Sequence, residues 1–77
     1  MKWSKPYQVM RVKDVTESHT EYETLIDGDN LPKLMLFCSQ MLQGALMEKL
    51  KEREELEIWE QRDNTLMIIA KYFIYNK

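Results

Sequence analysis

The chain has 77 residues, which is enough for one small domain over residues 1–77 and too short to hold a cofactor-binding lobe beside a catalytic lobe. Its composition is 44% hydrophobic and 31% charged, with two Gly and two Pro, which excludes collagen-like, linker-like and disordered proteins. The formal net charge of -2 excludes a strongly basic nucleic-acid-binding protein and argues against a full mimic of DNA.

The residue types also limit the chemistry. One cysteine, Cys38, and one histidine, His19, cannot build a disulfide framework or fill a zinc site. The sequence lacks a nucleophile beside a base and a Gly-rich phosphate loop, so we expect no enzyme activity, cofactor or metal. No apolar run approaches the roughly 20 residues that span a bilayer, and the N-terminus lacks the apolar part of a signal peptide. We therefore expect a cytoplasmic protein without membrane contact.

Two strands are predicted in the first third of the chain. Tyr7–Val15 is rich in β-favouring residues, and Glu21–Asp27 alternates with the period of two that is typical of a half-buried strand. That alternation puts Tyr22, Thr24 and Ile26 on one face. The polar residues between the two segments would form a hairpin loop.

A long helix is predicted next. Asp29 or Asn30 can cap its first turn, in which Pro32 is tolerated, and it should run from about Leu31 to about Arg53. Apolar residues at helical spacing define a stripe that should face the core. This stripe contains Leu34, Met35, Cys38, Met41, Leu42, Ala45 and Leu46.

The helix carries a second, weaker apolar strip formed by Leu36, Met47 and Leu50. A single helix packed on one sheet has no evident use for this strip. Either loops or the C-terminal segment cover it, or it is the surface of a homodimer or another partner.

The C-terminal third favours a hairpin. Leu56–Arg62 alternates loosely, Asp63 and Asn64 form a turn signal, and Thr65–Tyr75 is rich in β-branched and aromatic residues. A two-residue turn pairs Trp59 with Ile68 and Ile58 with Ile69. The sequence thus predicts an α+β domain of order β-β-α-β-β, with one helix on an antiparallel sheet. The alternative is β-β-α-α, with a helix in place of the last strand.

Charge is segregated along the chain. Residues 1–13 carry Lys and Arg and no acid, whereas residues 14–30 carry six acids and no Lys or Arg. Either these blocks lie on facing strands that attract each other, or an acidic patch binds a basic surface of another protein. The patch would contain Asp14, Glu17, Glu21 and Glu23, whereas Glu54, Glu55 and Glu57 should form a solvated face where the helix ends.

A nucleic-acid interpretation rests on aromatic and basic residues that share strand faces. If the first strand is regular, one of its faces presents Trp3, Lys5, Tyr7, Arg11 and Lys13. The last strand repeats the pattern with Lys71, Phe73, Tyr75 and Lys77. Such faces stack bases of single strands, but edge strands with a buried aromatic side and protective lysines look the same.

The sequence therefore predicts a small, non-catalytic protein-protein interaction module that occupies a surface of another protein. Its size and simplicity suit an inhibitor from a phage or mobile element that acts on a host protein. The alternatives are a single-stranded nucleic-acid-binding protein and a homodimeric structural protein.

Overall fold

The chain folds as two hairpins joined by a helix, in the order β-β-α-β-β, which confirms the predicted α+β domain. The computed structural model describes residues 3–48 and 53–75. Thr65–Tyr75 is a strand, so the alternative with a second helix is wrong. The elements are β1 (Tyr7–Val15), β2 (Thr20–Gly28), α1 (Leu31–Glu48), β3 (Arg53–Arg62) and β4 (Thr65–Tyr75).

The four strands form one antiparallel sheet in the order β2-β1-β3-β4. The central pair therefore comes from different hairpins, and β2 and β4 lie at the edges. Helix α1 carries the chain from the β2 edge back to the centre and packs across all four strands on one face. The opposite face is covered by no other described element, and this uncovered face dominates the functional argument below.

The helix begins as its capping signal indicates and ends earlier than predicted. The Asn30 Oδ1 accepts a hydrogen bond from the backbone N–H of Lys33 at 3.3 Å, which satisfies a free donor of the first turn. Arg53 already belongs to β3, so the predicted helix end at about Arg53 is wrong. The charged residues Arg53–Glu55, just before Leu56, carry no strand signal in the sequence, because they become strand by pairing with distant residues of β4.

The core lies between α1 and the two central strands. Its buried residues are Val9, Leu34, Cys38, Leu42, Leu56 and Ile58. The predicted stripe is confirmed for Leu34, Cys38, Leu42 and Ala45, which are buried. Met41 is half-buried, and the structure does not describe the side chain of Leu46. Met35 is 42% exposed, so its assignment to the core is wrong.

The prediction that Glu54, Glu55 and Glu57 form a solvated face is also wrong. Glu54 and Glu57 lie on the central strand β3 and are buried, and Glu55 is half-buried between β1 and β4. A central strand is flanked by neighbours on both sides, so even its polar side chains lose most of their contact with water.

The C-terminal hairpin contains a β-bulge that the turn did not reveal. Asp63, at a left-handed φ of 56°, begins the turn, and Trp59 pairs with Ile68 as predicted. Ile58 pairs with Ala70 and not with Ile69, because Ile69 is an extra residue in β4. Without this shift, Lys71 would lie opposite Leu56 in the core; with it, Tyr72 takes that place.

A second bulge corrects the prediction for β2. Val9 pairs with Ile26, and the next residue, Met10, pairs with Thr24, so Leu25 is an extra residue. Ile26 therefore packs against the core, while Tyr22 and Thr24 lie on the opposite face of the sheet. The expectation that Tyr22, Thr24 and Ile26 share a face is wrong.

Candidate protein-interaction surface

The uncovered face of the sheet is rich in aromatic and large apolar side chains. Leu56 and Ile58 lie beneath the helix, so their neighbours Glu55, Glu57 and Trp59 lie on the uncovered face. Residues opposite each other in the register share a face. The apolar and aromatic members of this surface, which we call the open face, are Met10, Val12, Val15, Tyr22, Trp59, Leu66, Ile68 and Phe73.

Three side chains form a cluster at the middle of the open face. The rings of Tyr22 and Trp59 reach towards each other across β1, with their centroids 5.5 Å apart and their planes at 80°. The indole Nε1 of Trp59 donates a hydrogen bond to Glu57 Oε1 at 3.0 Å. These contacts hold the two rings in a defined arrangement relative to each other and to the sheet.

The carboxylates give this cluster a negative potential. Burial and, to a smaller extent, the charges of Glu57 and Glu55 raise the pKa of Tyr22 above its ordinary value. The phenol therefore stays protonated at neutral pH. It presents a polar tip at the edge of an apolar ring, a combination that is enriched in protein interfaces.

Two shallow grooves extend the open face on either side of Glu55. One has a volume of about 210 Å³ and is lined by Glu57, Lys71 and Phe73, among others. The other has a volume of about 320 Å³ and lies at the ends of β1 and β3. Both grooves are lined by Glu55, so they adjoin each other on the open face.

Charges of both signs alternate on the open face. Arg53 Nε donates a hydrogen bond to Glu55 at 2.8 Å, and Lys71 lies opposite Glu57 in the register. Each of these cations thus stands beside a carboxylate. Such a surface lacks the continuous positive track along which a phosphate backbone binds.

The helix side of the sheet holds a chain of ion pairs at Arg11. Its guanidinium Nη1 lies 3.0 Å from Glu23 Oε1, and its Nε lies 2.9 Å from Glu54 Oε1. The pair with Glu23 joins β1 to β2, which confirms that the basic and acidic blocks attract each other across the first hairpin.

The residues of the predicted nucleic-acid face do not lie together on one exposed surface. Tyr7 packs against the core and Arg11 is held by two carboxylates. The backbone N–H of Trp3 donates to Gln61 Oε1 at 2.7 Å, and Trp3 is half-buried. Only Lys5 and Lys13 are exposed, one before β1 and one near its end. On β4, Lys71 and Phe73 do share the open face. The structure does not describe the side chain of Tyr75, and Lys77 lies outside the described residues.

The predicted acidic patch is dispersed. Glu17 is exposed in the hairpin loop, and Glu21 is exposed with an oxygen 3.5 Å from His19 Nε2. Glu23 is engaged by Arg11, and the side chain of Asp14 is outside the description.

The two described residues of the predicted helix strip are exposed. Leu36 is 57% exposed and Met47 75% exposed, and Leu50 lies outside the described residues.

The described residues show no arrangement for metal chemistry: none of their His, Cys, Asp and Glu side chains form a group of three or more that could hold an ion. The thiol of Cys38 is fully buried in the core, and this burial raises its pKa to about 11. A buried, protonated thiol is a poor nucleophile. In the described part of the chain, no helix is long and apolar enough to cross a membrane.

These buried groups predict an alkaline loss of stability. The folded state raises the pKa of Cys38, Tyr22 and Tyr72, so above about pH 9 the unfolded chain releases protons first. The free energy of unfolding should then fall as pH rises, with the Cys38 contribution reaching about 2–3 kcal/mol once pH exceeds 11. Urea unfolding between pH 7 and 11 measures this slope, and Cys38→Ala should make it shallower. An unchanged slope in Cys38→Ala would contradict the role of the thiol.

Sequence reasoning missed the open face as a surface. The pair of Trp59 and Ile68 was predicted correctly. Tyr22 was predicted to share a face with Ile26, and Glu57 was predicted to be exposed to solvent. The signal that could have found the face lies in β3: Leu56 and Ile58 are apolar, so Glu57 and Trp59 must share the other side.

Comparison with family models, curated proteins and solved structures gives no match to this chain. Its function is therefore inferred from its own residues.

Proposed function

We propose that the protein is a non-catalytic interaction module that docks on another protein through its open face. The observation that carries this proposal is the cluster of Tyr22, Trp59 and Glu57 at the centre of an uncovered sheet. In this proposal the module acts by occupying its partner's surface, as an inhibitor of a host protein would.

The side-chain types on the open face support a protein partner. Trp, Tyr, Phe and Met are enriched in protein interfaces, and Trp and Tyr recur among the residues that dominate binding energy. Phe73 is 60% exposed although it is a large apolar side chain, so the isolated domain leaves it in contact with water. A partner that covers Phe73 and the Trp59 ring removes that apolar surface from water.

The electrostatics favour a protein over a nucleic acid. Glu55 and Glu57 lie between the aromatic rings and repel phosphates, whereas Lys71 and Arg53 stand beside them. A protein segment can match such a mixed surface with side chains of both signs around an apolar or aromatic anchor. A basic side chain of the partner fits best beside Glu55, which is the more exposed of the two carboxylates.

The open face predicts which substitutions abolish binding. Phe73→Ala and Trp59→Ala, made separately, should each weaken capture of the partner by about 30-fold, the effect of truncating a dominant interface residue. The tagged protein and its variants are used to capture proteins from a nuclease-treated lysate of the source cells, and bound proteins are quantified by mass spectrometry. Affinities for the protein retained by the unmodified chain are then measured by titration.

Two control variants separate the surfaces. Met47→Ala truncates a more exposed residue on the far side of the helix and should leave capture unchanged. Glu17→Lys with Glu21→Lys reverses the charge of two exposed members of the predicted acidic patch. If this double variant abolishes capture and Phe73→Ala does not, the docking surface is the acidic patch and the proposal is wrong. Retention that depends on nucleic acid and falls steeply with salt would also overturn it.

A further inference from the structure

The two edges of the sheet are protected to different degrees. The β2 edge carries Glu21, Glu23 and Asp27 and is interrupted by the extra residue Leu25. Charges and bulges are the usual devices by which proteins keep an edge strand from pairing with another chain. The β4 edge has 11 residues with neither Pro nor an acid, and its only charge is Lys71. Its one irregularity is the bulge at Ile69.

The exposed apolar residues of β4 lie on both faces of the sheet. Leu66, Met67, Ile68 and Ile69 are four consecutive exposed residues. Ile68 lies opposite Trp59 on the open face, and Met67, one residue earlier, lies on the helix side. A partner that docks on one face would cover only half of them. A strand added beside β4 would cover side chains on both faces and pair with the outer backbone groups, which no described strand pairs with.

We propose that two copies of the chain associate through their β4 strands, which pair antiparallel across a twofold axis at Ile68. Because Ile69 is an extra residue in each copy, this geometry places Met67 opposite Ala70 and Leu66 opposite Lys71 of the second copy, so residues on the same face of the sheet meet. Ile68 meets Ile68, and Lys71 faces Leu66 and the aliphatic edge of the strand rather than another Lys71. The strand is therefore complementary to itself, as a twofold interface requires.

The charge pattern selects a second copy over a head-to-tail array. Pairing of β4 with β2 of another copy would leave a free edge at each end and would build an open filament. The acids and the bulge of β2 oppose that arrangement. Pairing of β4 with β4 leaves only protected β2 edges at the ends of an eight-stranded sheet, so assembly stops at the dimer.

The small core gives the association a stabilising role. Seven apolar residues of the described chain are buried, and the molecule is only about 15 Å thick along its shortest axis. Domains of this size bury a small fraction of their surface, and association is a common way to bury more. The dimer would also place both open faces on the same side of one continuous sheet. This inference does not rest on the proposed docking function.

Light scattering and a charge variant test the dimer. The unmodified chain should show twice the mass of one chain in light scattering and dissociate on dilution. Met67→Lys adds a charge to the edge strand, on the side of the sheet opposite the open face, and should shift the midpoint of dissociation to at least tenfold higher concentration. The matched control Leu36→Lys places the same charge on the exposed helix strip and should leave the dimer intact. Circular dichroism shows whether each variant is folded.

Cysteine cross-linking gives a second test that does not depend on destabilising the protein. Ile68→Cys places a thiol at the proposed axis, and mild oxidation with copper-phenanthroline should give a covalent dimer. Leu36→Cys should stay monomeric, and Cys38 is buried and should not react. A chain that is monomeric at every concentration, or a cross-link at Leu36→Cys alone, would overturn the proposal. Met67→Lys leaves the open face unchanged, so its capture of the partner separates a failure of the dimer from a failure of the docking function.

Discussion

Replacing Leu56 by Ala is expected to lower the free energy of unfolding by about 3–4 kcal/mol, within the usual range of 2–5 kcal/mol for such a truncation in a core. Leu56 is fully buried on β3, where its neighbours in the register are Arg11 on β1 and Tyr72 on β4. The substitution leaves a cavity that the flanking strands cannot fill without breaking their pairing. For a domain of this length, whose total stability is roughly 4–12 kcal/mol, this is a large fraction.

Urea unfolding followed by circular dichroism measures the effect. Leu36→Ala removes the same atoms from the exposed side of α1 and should change stability by less than about 0.5 kcal/mol. Both variants are measured at several protein concentrations, because a β4-paired dimer would make the apparent stability depend on concentration. Equal effects of Leu56→Ala and Leu36→Ala would contradict the assignment of the core.

Elements that carry their own local sequence signals could be predicted from the sequence. Elements that form only by pairing with distant strands of the same chain could not. Tyr7–Val15 and the turn at Asp63 and Asn64 carry their own propensities, and both appear where they were predicted. The start of β3 does not: Arg53 to Glu55 have no strand preference and become strand by pairing with Phe73, Ile74 and Tyr75. Helix and strand are then decided by tertiary contacts.

Bulges explain why the candidate site was harder to predict than the fold. One extra residue reverses the face of every side chain beyond it. The extra Leu25 separates Tyr22 from Ile26, and the extra Ile69 moves Lys71 out of the core. Strand boundaries survive such an error, but the residues assigned to a surface do not. The open face was missed because finding it requires knowing on which side of the sheet each side chain lies, and strand boundaries alone do not give that.

The buried ion pair of Arg11 shows how a polar group can determine the arrangement of the two hairpins. Glu54 is only 5% exposed and lies on β3, whereas Glu23 is more exposed and lies on β2. Arg11 on β1 therefore connects both of its neighbouring strands through one guanidinium. We expect the two contacts to differ in energy, because solvent screens the pair with the more exposed Glu23 more strongly than the pair with Glu54.

Arg11→Met is expected to lower the free energy of unfolding by about 3 kcal/mol, because it leaves the buried Glu54 carboxylate without its guanidinium partner. Glu23→Gln removes only the more exposed contact and should cost less than about 1 kcal/mol. Both values come from urea unfolding at pH 7, with 0.1 M salt to keep the conditions equal. Equal costs for Arg11→Met and Glu23→Gln would show that burial of Glu54 does not determine the energy of the pair.

The double variant Arg11→Met with Glu54→Leu separates the loss of the ion pair from the cost of keeping a buried carboxylate in the absence of Arg11. If the buried Glu54 carboxylate causes most of the destabilisation, replacing it by an apolar side chain of similar size should recover at least half of the lost stability. Glu54→Leu alone leaves Arg11 with Glu23 and partial access to water, so it should cost less than Arg11→Met. A double-mutant cycle from these three proteins gives the coupling energy. A coupling energy near zero would mean that Arg11 and Glu54 stabilise the sheet independently, through the packing of their aliphatic parts.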